Sequence, residues 1–266
     1  MQCTPPDKTL EQPTQQNIIS VGQFTKIHKL NNKTIRKVPL DKSYIYSLQA
    51  IEIEGRVYAH LGKHKRIARC IDYNNDFIDL QYEPNGDLQS YLAKNPIGLN
   101  ARCRFARQAI EAVTFIHSKD VIHSDLSARQ FLVDRNGKDI RLSDFGGSSV
   151  QGSDAIVMEN ATHFLPRDEN LPNTVLSDLF ALGSTLYEIF VGRKPYEGVG
   201  DEEVQRLFGE RVFPVLDEGE GVVGDERWRR VIWKCWMCEY ERADDILGDV
   251  SSALAGCLLD DNSEDE

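Results

Sequence analysis

Val121-Ile122-His123-Ser124-Asp125-Leu126-Ser127-Ala128-Arg129-Gln130-Phe131-Leu132-Val133-Asp134 is followed shortly by Asp144-Phe145-Gly146. Its two short apolar runs, Val121-Ile122 and Phe131-Leu132-Val133, read as strands. The polar turn between them carries His123, Asp125, Arg129 and Gln130. A second carboxylate, Asp144, stands 19 positions after Asp125 in a turn that ends in Gly146-Gly147. Hard cations take carboxylate oxygen, and a tight turn can present one toward a cleft, so Asp144 is a metal-ligand candidate. Asp125 is the candidate for taking a proton from a hydroxyl. Each alone is an ordinary turn aspartate; their order and flanking strands set them apart.

Working outward, Leu99 to Ser118 is a long amphipathic helix, with Phe105, Ala106, Ile110, Val113, Phe115 and Ile116 on its apolar positions, and it leads into this turn. Val175 to Val191 is apolar nearly all round, broken only by Asp178 and Glu188. It is too short to span a bilayer and reads as a central core helix. Residues 17–82 mix short β-like runs (17–19, 24–27 and 34–38) with one helix from about Ser47 to Leu61. Asn31-Asn32 is a hairpin turn between two of the strands. Gly55 inside that helix costs about 1 kcal/mol relative to Ala and predicts a mobile segment.

At 266 residues the chain suits one large domain or two lobes sharing a cleft, and its 41% hydrophobic and 27% charged content is that of a globular protein. A net charge of -11 argues against nucleic acid or an anionic membrane as partner. The first residues lack the basic flank and apolar run of a signal peptide. The six cysteines are therefore expected to be reduced, in a cytoplasmic or nuclear protein. Cys235-Trp236-Met237-Cys238 has a metal-type spacing but no companion pair, and its apolar neighbours suggest a buried helix. Residues 1–15 are expected to be a disordered leader and 259–266 a solvated acidic tail.

His123-x-Asp125-Leu126-x-x-x-Gln130 and Asp144-Phe145-Gly146 resemble the H-R-D-L-x-x-x-N and D-F-G signatures of the protein kinases. The likeness runs from about residue 17 to 256, and the chain is similar to the short kinase-like proteins of filamentous fungi. It implies an α+β, two-lobed fold, with a small β-rich lobe (16–82) and a larger helical lobe (83–258). It also implies ATP and Mg²⁺ bound between the lobes, a protein substrate and a monomer. Thr34-Ile35-Arg36-Lys37 resembles V-A-I-K, making Lys37 the phosphate ligand and Ile35 part of the adenine roof. Glu54 is its helix partner, with Glu52 the rival. Leu80 takes the gatekeeper position, and Gln81-Tyr82-Glu83 the hinge. Asp178-x-Phe-x-x-Gly183 resembles the central-helix motif whose Asp caps the catalytic loop.

The departures from the family pattern bear on activity. The glycine-rich loop becomes Ser20 to Ile27, keeping only Gly22, with Phe24 at its tip and Ile27 over the adenine. Backbone N–H groups bind phosphate best where no Cβ intervenes, so nucleotide affinity is expected to be reduced. Gln130 replaces the Asn that ligates the second Mg²⁺, on a stem one methylene longer. Ser124 replaces the Arg that grips a phosphorylated activation loop, so phosphorylation there should not switch the protein in the usual way. Arg129, in a loop resembling A-A-R of the tyrosine kinases, can approach the transferring phosphoryl group or the substrate hydroxyl. Leu165-Pro166-Arg167 replaces A-P-E, which sets Arg167 against Arg242 and predicts a loosely anchored activation segment. An active kinase is the reading favoured. A pseudokinase scaffold and a small-molecule phosphotransferase are the alternatives.

Overall fold

The computed structural model describes residues 13–216 and 225–257. The expected leader up to residue 12 and the acidic tail lie outside the described residues. The described end of the leader is tied down: Gln15–Asn17 form a 3-10 turn, and His28 Nδ1 lies 2.9 Å from Asn17 Oδ1.

The first lobe is one antiparallel sheet of β1 (Ile18–Val21), β2 (Thr25–Lys29), β3 (Thr34–Pro39), β4 (Cys70–Tyr73) and β5 (Ile78–Gln81), in the order β1-β2-β3-β5-β4. The Asn31 side chain accepts from Lys33 N and Thr34 N (2.7 and 2.9 Å), closing the β2–β3 hairpin as an Asx turn. The register sets Lys37 opposite Ile27 on one side and Ile78 on the other. Across the sheet lies α1 (Ile45–Leu61), which buries Ile51, Val57, Tyr58 and Leu61, each worth about 1.5–3 kcal/mol if an aliphatic side chain is fully covered. Gly55 answers a packing demand there: a Cβ would sit 2.9 Å from Tyr73 Cδ2.

The second lobe is helical. α2 (Leu88–Lys94) is capped by Asp87, which accepts from Ser90 N at 2.8 Å. α3 (Leu99–His117) leads into the short strands β6 (Val121–Ile122), β7 (Phe131–Val133), β8 (Ile140–Leu142) and β9 (Ser149–Val150), paired as β6–β9 and β7–β8. α4 (Val175–Val191) opens on a Thr174/Ser177 capping box and is buried at every position from Ser177 to Phe190, as its all-round apolar sequence requires. Around it pack α3 and α6 (Glu226–Trp236), while α5 (Asp201–Gly209) and α7 (Ala243–Cys257) complete the lobe. The α4–α6 contact is close because Gly183 faces Cys235: a Cβ would come within 2.6 Å of the Cys235 Cβ. Trp236 Nε1 fixes the pair by donating to Ser184 Oγ at 3.0 Å. Cys235 is buried in α6 and Cys238 lies beyond its end; no metal-type cluster forms among the described residues. No helix among them is long and apolar enough to cross a membrane. The small β-rich lobe and larger helical lobe are the fold the sequence pattern predicts.

Candidate active site

The catalytic loop is held from beneath by α4. Asp178, fully buried, accepts from His123 N (2.8 Å) and Ser124 N (3.0 Å), and His117 Nε2 lies 2.9 Å from the same carboxylate. This support matters because Ser124 is held at φ 71°, a left-handed backbone unusual for a non-glycine residue. Asp144 adopts φ 65°, the second such residue in the site. Strain of this kind persists where surrounding contacts over-determine the backbone. The neighbouring strand is fixed by Ser143, whose N and Oγ both donate to Gln130 O at 2.9 Å.

Phe145 is fully buried between the two lobes. Its ring meets Tyr58 of α1 edge-on, with centroids 5.4 Å apart, and His123 of the catalytic loop at 5.3 Å. Gly146 continues the turn close against α1, where a Cβ would lie 3.2 Å from Ala50 O. The helix, the Asp144 turn and the catalytic loop are thus packed in one register.

That register brings three predicted residues into contact. Lys37 Nζ lies 2.5 Å from Glu54 Oε2 and also pairs with Asp144 Oδ1. Glu52, the rival, is exposed, whereas Glu54 is completely buried. Burial pulls the Lys37 ammonium down, but the charges of Asp144 and Glu54 outweigh it and hold it protonated. The two carboxylates sharing that one ammonium then diverge. Burial is the largest effect on Glu54, and its carboxyl is pushed up despite Lys37. Desolvation also acts on Asp144, yet the Lys37 charge and hydrogen bond prevail and hold its carboxyl down. Although protein surrounds it, the Asp144 side chain is 52% exposed because it faces the open cleft.

Asp125 lies on the other side of that cleft, and Gln130 Nε2 donates to its Oδ2 at 2.5 Å. Burial, followed by the Asp144 charge, raises the Asp125 carboxyl to about 7, against the lowering influence of the Gln130 hydrogen bond and Arg129. A cavity of about 330 Å³ joins these groups: Lys37, Asp125, Arg129, Gln130 and Asp144 line it, with Gly22 to Thr25 as its roof. The donor set fits a hard divalent cation bearing phosphate. Asp144 supplies a carboxylate, and Gln130, with its nitrogen engaged by Asp125, leaves an amide oxygen in the same cavity.

The roof and the hinge side flank this cavity. The Gly22 N–H donates to Thr25 O at 2.8 Å, and Phe24 at the tip sits 6.3 and 6.2 Å from the Tyr44 and Tyr46 rings before and within α1. The hairpin is therefore closed on itself and leans on α1. Ile35 and Leu80 are buried in the core, and Ile27 packs against it. Gln81, Tyr82 and Glu83 line a separate hollow of about 650 Å³, and the Glu83 carboxylate pairs with Arg141 at 2.9 Å.

The activation segment is anchored, contrary to the expectation of a loose one. Arg167 turns inward and pairs with the buried Glu159 at 2.9 Å, donates to Asn173 Oδ1 and stacks on Phe164 at 4.5 Å. Arg242 points elsewhere, to exposed Asp244 at 2.7 Å, so the two arginines do not face each other. His163 Nε2 and Glu188 Oε1, 2.7 Å apart and both buried, tie the same segment to α4. Sequence reading missed Met158, Asn160 and Lys194, which line the cavity beside Arg129. No short motif marks them; they come from an irregular segment and from the loop after α4.

Comparison with known proteins agrees with this architecture. Aurora kinase A-A of Xenopus laevis is 30% identical over 189 residues, covering 68% of this chain and 46% of that protein. Aurora kinase C of Mus musculus is 28% identical over 182 residues, 65% and 64% respectively. Serine/threonine-protein kinase PKH3 of Saccharomyces cerevisiae is 26% identical over 214 residues, 72% and 23%. The chain thus spans less than two thirds of the length of each of these relatives. A family profile described as protein tyrosine and serine/threonine kinase matches residues 15–243. With that match, the lobed fold and the Lys37–Glu54–Asp144–Asp125 cluster, the chain belongs to the protein tyrosine and serine/threonine kinase family.

Proposed function

We propose that this chain transfers the terminal phosphoryl group of ATP to a hydroxyl of a protein substrate. The observation that carries the reading is the Lys37–Glu54 pair, made at 2.5 Å while Lys37 also meets Asp144, in a cavity that Asp125 shares. Phosphoryl transfer rests on positioning and charge stabilisation more than on covalent chemistry, so an assembled cluster is what the reaction needs. Asp144 and Gln130 would hold Mg²⁺, which when bound neutralises negative charge on the phosphates. Lys37, kept protonated by its two carboxylates, orients a phosphate. Asp125 orients the acceptor hydroxyl and takes its proton, and a carboxyl near 7 is matched to that task at neutral pH.

A relative named as a serine/threonine kinase makes Ser and Thr the first acceptors to try, with Tyr kept alongside because of Arg129. A cytoplasmic or nuclear monomer is part of the same reading. The scaffold reading draws on a different observation: in the loop that replaces the glycine-rich one, the Gly22 N–H is engaged by Thr25 O at 2.8 Å.

Incubation with γ-labelled ATP, Mg²⁺ and a mixture of generic protein acceptors separates the two readings. Transfer should occur, and Asp125→Asn should lower it by about 10²–10⁴-fold, the usual contribution of a positioned acid–base group. Absence of transfer, or equal transfer by the variant, would leave the scaffold.

A further inference from the structure

We infer that the acceptor polypeptide is acidic beside its target hydroxyl, and that Arg129 and Lys194 read this acidity. The inference rests on the phosphotransfer reading for the identity of its occupant. Both lobes line the cavity. Lys37, Ala50 and the 22–25 hairpin come from the first, and the one cation among them is already engaged by Glu54 and Asp144. The second lobe supplies the other wall: Val157, Met158 and Asn160 before α4, Lys194 from the loop after it, and Arg129.

Neither Arg129 nor Lys194 forms an ion pair with any described residue, although the chain carries 42 acidic residues against 31 Lys and Arg. Arg129 acts on Asp125 and Asp144 only through space, and both cations are placed to meet negative charge on a bound segment. Glu159, the buried acid of the segment that carries Met158 and Asn160, is held by Arg167. Met158, 42% exposed, adds an adaptable apolar contact on the same wall. Arg129 offers a planar fork suited to carboxylate, and Lys194 a point charge on a flexible stem. The ligand these groups fit is an extended segment with Asp or Glu next to the Ser, Thr or Tyr. A basic segment would meet two like charges.

The test uses the full chain and three sets of short peptides whose single hydroxyl residue is flanked by Asp/Glu, by Ala/Gly or by Lys/Arg. Binding is read by fluorescence anisotropy and transfer by labelled ATP. Wild type should prefer the acidic set over the neutral one by roughly five- to ten-fold, the range for one or two partly exposed charge contacts. In Lys194→Glu the order should invert toward the basic set, while Lys194→Arg should keep it. If the acidic set binds with this pattern but is not phosphorylated, the surface stands and the catalytic reading falls. If peptides are phosphorylated without regard to flanking charge, or Lys194→Glu leaves the order unchanged, the inference is overturned and catalysis stands. If no set binds above the others, the inference is likewise overturned.

Discussion

Burial and the nearby Asp144 charge raise the Asp125 carboxyl to about 7, so its ionisation falls inside the range in which proteins are ordinarily assayed. In its proposed role as proton acceptor it must be ionised, and kcat/KM should therefore rise with pH along a limb centred near 7. The effect on stability has the opposite sense. Between the unfolded carboxyl value of about 4 and the folded value of about 7, the native state binds the extra proton. Asp125 then costs stability progressively as pH rises through that window. Asp125→Asn should accordingly gain stability relative to wild type from pH 4 to pH 8, measured by urea unfolding. A difference that stays flat, or runs the other way, would remove the raised acidity. The placement of Asp125 and Asp144 at one cavity was legible because motif spacing fixes which turn each occupies. The Gln130 hydrogen bond was not, since it depends on how an irregular loop bends back over five residues.

At the scale of elements, the activation segment shows a rewired anchor. Arg167 balances the buried Glu159 carboxylate, so Arg167→Ala leaves that charge unpaired and should destabilise the protein by about 3–5 kcal/mol. Arg242→Ala breaks only an exposed pair with Asp244 and should change stability by at most about 1 kcal/mol. Denaturant midpoints of the two variants decide between this wiring and one that runs through Arg242: similar large losses would contradict the Arg167–Glu159 anchor. The sequence suggested two arginines in conflict because it shows replacement of a glutamate, not the new direction of the side chain that replaced it. Glu159 sits eight positions upstream in a segment without periodicity, so nothing local announces the pairing. α4 is the opposite case: its continuous apolar run and capping signals delimit Val175–Val191 in sequence and structure alike. The Phe24–Tyr44–Tyr46 contacts, which join a hairpin tip to a helix start, again depend on tertiary approach.

For the whole molecule, the two lobes meet through Tyr58, Phe145 and His123, and through Lys37 and its two carboxylates. The lobed architecture was readable from the change of pattern near residue 83, where β-like runs give way to helical periodicity. How deeply Ile35 and Leu80 are buried was not readable, since that is set by packing between strands and not by either residue alone. On the proposed function, this register forms a metal–nucleotide site around Lys37 and Asp144. Thermal unfolding with ATP alone, with ATP and Mg²⁺, and with both on Asp144→Asn tests it without any known acceptor. At a hundredfold excess over the dissociation constant, binding adds about 2.7 kcal/mol. For a domain of this size that raises the midpoint by several degrees. The expected result is a Mg²⁺-dependent rise in wild type that is lost in Asp144→Asn. No rise under any condition, or an equal rise in the variant, would contradict it.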